Sequence, residues 1–375
     1  MMKKFAALLF VLTLMLSCVF FASCGGNYEG GLNYTSNGDG TCNVSCKDKT
    51  YKGDLIIPEF APNGEKVVAI ADYGFEKCEH ITGVTVNANL VSVGKYAFYG
   101  CSALKAIRIP DTVESIGSYA FFVCSSLQSA VLPSSIDTLS TGIFMNCISL
   151  ESVELPSQLK KIDDSSFYGC RKLRTIKIPD SVNEIGDSAF QKCVSLQNVA
   201  LPKELTKIYD MAFAWCESIS DISLPDKVPE IGNYAFYKCK NLTAIQMNDG
   251  LASIGDYCFG GCSSMQEITL SPDITSIGKE AFRDCSALEH ISLPMRLTSL
   301  HYGTFFGCTS LSQISISGNT TSLGSYIFYG CPALETIKYE GSESQWNSMN
   351  KSDDWNTGLT DTKIEFSNSG SDAKS

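Results

Sequence analysis

The chain has 375 residues, 44% of them hydrophobic, and carries 40 acidic against 29 basic side chains, for a formal net charge of −11. That balance excludes a protein that reads phosphates through clustered positive charge, so nucleic acid is not an expected partner. Three histidines (His80, His290 and His301) leave little material for His-based catalysis or a His-rich metal site.

The first element is an export signal over residues 1–23. Lys3 and Lys4 form a positive start, Phe5 to Leu16 is apolar apart from Thr13, and "FASCGG" follows at 21–26. Small residues leading into a cysteine resemble a bacterial lipoprotein signal, which makes Cys24 the expected lipidated N-terminus. Phe21 is an unusual neighbour for that role, and Cys18 is the alternative; a plain cleaved signal would export the chain as well. No later stretch stays apolar for the ~20 residues a membrane span needs, so a lipid on Cys24 is the expected membrane contact. Residues 24–30 read as a linker.

Residues 31–68 read as a β-rich N-terminal cap. "YTSNGDGTCNVSC" alternates polar and apolar residues around Asn37-Gly38 and Asp39-Gly40, a strong hairpin signal. "GDLIIPEF" then resembles an atypical first repeat.

From residue 69 to 339 a single phrase recurs. Cys78, Cys101, Cys124, Cys147, Cys170, Cys193, Cys216, Cys239, Cys262, Cys285, Cys308 and Cys331 are each 23 residues apart, and a phenylalanine stands three residues before every one. An aliphatic residue or methionine follows three after (Leu104, Leu127, Met265), and two more stand six and eight after, as in Ile107 and Ile109. Proline often comes next (Pro110, Pro133, Pro156), then an aliphatic at fifteen with glycine behind it, as in Ile116-Gly117. The period lies in the leucine-rich-repeat range, where each unit is one coil of a solenoid. Residues two apart share one face of a strand, and proline ends the strand because it cannot donate to a ladder. The spacing therefore predicts a repeat solenoid of about twelve right-handed coils. Short parallel strands occupy one face; turns or short helical (3₁₀/α) segments occupy the other. Gly at sixteen is expected to permit a tight turn. At ~4.8 Å per stacked strand, the array runs on the order of 55 Å. Its core ladder comprises Phe98, Cys101, Phe121, Cys124, Phe167, Cys170, Phe190, Cys193, Phe213, Cys216, Phe236, Cys239, Phe282 and Cys285. Residues 340–366, with Trp346 and Trp355, break the phrase and read as a C-terminal cap; 367–375 is poor in apolar residues and reads as a disordered tail.

The pattern "AF--C--L--I-LP--L--IG--AF", recurring from Gly74 to Glu340, resembles the BspA-like leucine-rich-repeat family of bacterial surface proteins. It lacks the asparagine ladder of the better-known leucine-rich consensus. The resemblance implies a cell-surface scaffold of the adhesin type, with a protein partner on host or neighbouring cells.

Seventeen cysteines in an exported chain invite a disulfide reading. In-register side chains of stacked coils point the same way rather than at one another, so packing as small hydrophobes explains the ladder better. Zinc would want close pairs such as C-x2-C, and none occurs. The chain contains no G-x-S-x-G elbow, P-loop, G-x-G-x-x-G or H-E-x-x-H. No catalytic residue, metal or cofactor is therefore expected. Asp163-Asp164 and Asp353-Asp354 are the nearest approach to paired carboxylates, and adjacent residues on a turn seldom face one another. Binding remains. Outward strand positions seven past each cysteine, such as Arg108, Glu154, Lys177 and Ser223, are polar and mixed in sign. A second strip flanks the phenylalanines: Tyr96, Tyr99, Tyr119, Phe122, Tyr168, Trp215, Tyr234, Tyr237, Tyr257, Phe306, Tyr326 and Tyr329. Exposed Tyr and Trp suit protein interfaces and sugar stacking, although such rings can equally lie flat and shield the core. Tyr96, Tyr99, Tyr119 and Phe122, from adjacent coils, form the expected ligand patch. A protein ligand is the first expectation and a glycan the second; an enzyme or a structural surface layer comes behind both. A continuous patch would favour protein, and a row of isolated rings a glycan.

Overall fold

A computed structural model describes residues 31–367. Residues 1–30, where the export signal and linker are expected, with Cys18 and Cys24, lie outside the described residues, as does the chain beyond Ser367.

Residues 101–124 show how one coil is made. Ala106–Arg108 is a three-residue strand with only Ile107 turned inward. Pro110 ends it, and the Val113 amide closes a turn on the Pro110 carbonyl at 3.1 Å. Ser115–Ile116 is a second strand of two residues that buries Ile116. A run of turns then returns the chain to the next cysteine, with Phe122 N on Tyr119 O at 3.0 Å and Cys124 N on Phe121 O at 3.2 Å.

Every coil repeats these three faces, and each face bonds to the next coil. The first is a parallel sheet in strict register, Ala106 opposite Ser129 and Ile107 opposite Ala130. It thins to isolated bridges at Thr175–Asn198 and at Glu267–His290. The second is another parallel sheet, made of the short strands and continuous over seven of them from Thr138–Leu139 to Ser276–Ile277. The third is a ladder between turns, in which Phe98 N meets Ala120 O at 2.7 Å and Gly100 N meets Phe122 O at 2.8 Å.

The third face is made of turns, and among the described residues the helix is confined to Glu343–Ser348. The reason is local. The residue five before each cysteine has a left-handed backbone, with φ of 54° at Tyr96, 60° at Tyr119 and 56° at Ser188. So does the residue just before it, with φ of 58° at Val123 and 59° at Trp215. A left-handed residue every four positions stops helical propagation and turns alternate amides along the solenoid axis. The glycine behind the second aliphatic also has a different role from the one expected. Gly117 has no positive φ; a Cβ there would lie 2.5 Å from the Lys95 backbone nitrogen. Glycine is present so that one coil can touch the previous one.

The core is a column of rings. Phe190 stacks on Phe167 and on Phe213 with centroids 5.2 Å apart in both cases, and all the ladder phenylalanines and cysteines are buried. Each thiol from Cys101 onward also donates to a carbonyl of the coil before, as in Cys101 Sγ to Phe75 O at 3.1 Å and Cys239 Sγ to Phe213 O at 3.3 Å. Cysteine thus combines a small apolar volume with a donor that satisfies a buried carbonyl. The described cysteines are free thiols.

Parallel pairing continues past the twelve cysteine coils at both ends, giving about fourteen turns. The hairpin Leu32–Ser36/Thr41–Cys46 is antiparallel within itself, and its second strand joins Lys66–Ile70 in parallel. At the other end Asn350–Lys351 and Lys363–Phe366 extend the two sheets. The helix is held by a capping box between Ser342 and Gln345. It seats Trp346 edge-on against Tyr339 at 5.2 Å and Trp355 at 5.6 Å, closing the last apolar coil.

Candidate interaction surface

The residues expected to form the ligand patch come together on the turn face. Tyr96 stacks on Tyr119 at 4.9 Å, and Tyr99 on Phe122 at 5.1 Å. Within each coil the two rings meet edge to face, Tyr96–Tyr99 and Tyr119–Phe122 both at 5.9 Å. Stacking follows from the repeat, because equivalent residues of adjacent coils sit one strand spacing apart. Burial beside neighbouring rings, Tyr119 first among them, pushes the Tyr96 phenol up, so the hydroxyl stays a donor throughout the neutral range. The stack begins one coil earlier than expected, at Tyr73, which lies 5.0 Å from Tyr96 and is 53% exposed. Its signal was present in the sequence, five residues before Cys78, but "YGF" replaces "YAF" there. The stack ends at Gly142, the position equivalent to Tyr119 in the next coil. A Cβ on Gly142 would come within 2.3 Å of the Tyr119 ring.

The rest of the aromatic strip includes two further groups, with Tyr168 apart from both, against Lys192. Tyr234 stacks on Tyr257 at 4.7 Å. The Tyr257 hydroxyl bonds to the buried Glu280 carboxylate, and burial together with that bond pushes the phenol up to about 12. Arg283 pairs with the same carboxylate and lies 4.2 Å above Phe306. Farther along, Tyr326 and Tyr329 meet edge to face at 6.1 Å, beside Tyr302, which the strip as read from sequence had omitted.

The carboxylates form a ladder of their own. Six residues before the cysteine, Asp164 Oδ1 accepts Asp187 N at 2.9 Å and Asp187 Oδ1 accepts Asp210 N at 3.0 Å. The series continues through Asn233 and Asp256 to Lys279 N at 2.7 Å. A side-chain ladder is therefore present, at a different corner from the asparagine ladder of the better-known consensus and built mostly of aspartate. Sequence reading missed it because the position varies among Asp, Asn, Ser, Thr, Lys and Tyr. Burial, then the charges of Asp164 and Asp210, push the Asp187 carboxyl up. A cleft of about 520 Å³ runs beside this row, floored by Gly232, Gly255 and Gly278. Its lining contains no cysteine or histidine. Asp163, beside Asp164, turns instead to Lys161 at 3.3 Å and Thr141 at 2.9 Å. His290 reaches Ser312 at 3.3 Å. Among the described residues no group of His, Cys, Asp and Glu could hold a metal ion, and no helix is long and apolar enough to cross a membrane.

The repeat matches the BspA type leucine rich repeat region over residues 59–163, 138–247 and 229–350. The chain belongs to that family. Among solved structures, this BspA-type chain is similar to a leucine-rich repeat protein from Bacteroides ovatus. Identity is 27%, with 90% of this chain and 98% of that one covered and a TM-score of 0.69. It is also similar to a leucine rich cell surface protein from Faecalibacterium prausnitzii, at 25% identity, 88% and 98% coverage and a TM-score of 0.50. The pneumococcal vaccine antigen PcpA shares the fold at 16% identity, with 92% and 98% covered and a TM-score of 0.52. No curated protein matches the chain.

Proposed function

We propose that this BspA-type chain is a lipid-anchored cell-surface scaffold, not an enzyme, that holds a protein partner on host or neighbouring cells through Tyr96, Tyr99, Tyr119 and Phe122. The observation that carries this reading is the continuity of the patch. Two ring stacks run side by side across adjacent coils, so the rings present joined edges and hydroxyls, as a protein interface needs. A neutral sugar needs a free ring face, and the stacked faces here are taken up by one another. The similar cell surface protein of F. prausnitzii and the signal-like N-terminus support an exported location.

The test pairs two faces. Tyr99→Ala with Phe122→Ala, neither at a left-handed position, is compared with Arg108→Ala with Glu154→Ala on the strand face, against a panel of extracellular-matrix proteins. Loss of at least tenfold in affinity is expected for the aromatic pair alone. If the strand pair loses binding and the aromatic pair keeps it, the partner uses the other face. Mass spectrometry of the mature N-terminus tests the anchor: a diacylated or triacylated Cys24 is expected, and an unmodified terminus rejects it.

A further inference from the structure

The residues immediately before the ladder cysteines form a column of left-handed positions, and in three consecutive coils it reads Lys192, Trp215, Lys238, with φ of 62°, 59° and 57°. The Lys192 ammonium lies 5.9 Å from the Trp215 ring centroid and the Lys238 ammonium 5.7 Å from it. Lys192 also donates to the Tyr168 hydroxyl at 2.6 Å, and Lys238 lies 5.3 Å from the centroid of Tyr237, which meets Trp215 edge-on at 5.1 Å. On both sides the column continues as glycine, Gly169 and Gly261, so no column side chain stands beyond either lysine; on the outer flank of Lys192 lies the Tyr168 ring, with its centroid 5.0 Å from the ammonium.

The electrostatics here run against the rest of the molecule. In a chain of net charge −11, the turn-face segments 165–169, 188–192, 211–215, 234–238 and 257–261 contain no acidic residue. Neither lysine has a carboxylate within ion-pair distance among the described residues, whereas neighbouring Lys240 is matched by Glu217 at 2.9 Å. The aspartates at the adjacent corner have one oxygen each committed to a backbone amide. Two uncompensated ammonium groups thus stand two coils apart, roughly 10 Å at the usual strand spacing, with an indole between them.

We propose that Lys192, Trp215 and Lys238 form a binding site for an acidic polysaccharide, a chain whose sugar rings carry carboxylates. Such a chain supplies both elements the column asks for: a C–H ring face for the indole and anionic groups for the two ammoniums. On binding, each ammonium leaves its weak contact with the ring for a carboxylate and frees the indole face for the sugar. The site stands on other coils than the Tyr96–Phe122 patch and does not rest on a protein being bound there.

The experiment uses the full chain in detergent with three polysaccharide probes: polygalacturonate, its methyl-esterified form and dextran. Binding is followed by tryptophan fluorescence and calorimetry. Polygalacturonate is expected to bind at least tenfold more tightly than either neutral probe. Trp215→Asn, which keeps a residue tolerant of the left-handed backbone, is expected to weaken it at least tenfold. So is the pair Lys192→Gln with Lys238→Gln, which should also flatten the dependence of log K on log salt by about two. Thermal midpoints report folding, and the lysine pair keeps the test open if the tryptophan variant unfolds. Equal binding of the methyl ester, or binding that survives both variants, overturns the proposal. Equal binding of polyglutamate or single-stranded DNA overturns it too, because charge alone would then explain the site.

Discussion

Truncating Phe190 to alanine tests the ring column directly. The side chain is fully buried and lies between Phe167 and Phe213, with interplanar angles of 8° and 3°. Removing a buried Phe costs about 3–5 kcal/mol, through lost transfer energy and the cavity left behind. Each aromatic pair adds about 0.5–1.5 kcal/mol beyond its area, and this site has two. The coils above and below are also held by the second sheet, the turn ladder and the Thr175–Asn198 bridge and relax little into the gap, so the loss should fall at the upper end, about 4–5 kcal/mol. Contacts in a solenoid are between neighbours, so the loss should be local. Urea denaturation measures its size, and hydrogen exchange read by mass spectrometry measures its extent, with protection falling most across residues 167–216. An unchanged denaturation curve would mean the rings are not the core. Protection lost evenly from end to end would mean the array unfolds as one unit rather than coil by coil.

Asp187→Asn keeps the side-chain oxygen that accepts Asp210 N, as Asn233 does two coils on. Because the folded state raises this carboxyl above its ordinary 3.8, wild-type stability falls as pH rises through that raised value. The variant should therefore be the more stable at neutral pH, with the gain gone below pH 3.8; a gain that persists in acid would show that charge is not the cause. Gly117→Ala should destabilise by about 1–3 kcal/mol in urea, because the added Cβ meets backbone that cannot move aside. Neutral behaviour would show that the coils can separate there. Burial pushes the ladder thiols from Cys78 to Cys308 up, Cys285 to about 12, and Cys331 is buried, so among residues 31–367 only half-exposed Cys46 should react with iodoacetamide at pH 8 in native protein. Mass mapping decides, and rapid labelling of Cys193 or Cys216 would contradict the buried ladder.

The period, the inward residues and the column of Phe and Cys were legible in the chain alone. The physical reason is that a coil of 23 residues has few ways to bury its apolar set, and a strand shows only alternate residues to the core. Tyr96, Tyr99, Tyr119 and Phe122 were visible as a strip for the same reason. What the stacking decided lies between coils. Gly117 is glycine because of Lys95, a residue of the coil before; the Asp164–Asp187–Asp210 ladder exists because each side chain reaches one coil onward. Cys101 donates to Phe75 across the same gap, and Lys192 and Lys238 matter only because they flank Trp215. Each of these depends on a distance between residues of different coils, and that distance is set when the coils stack, by three backbone ladders acting together and not by any residue's own preference.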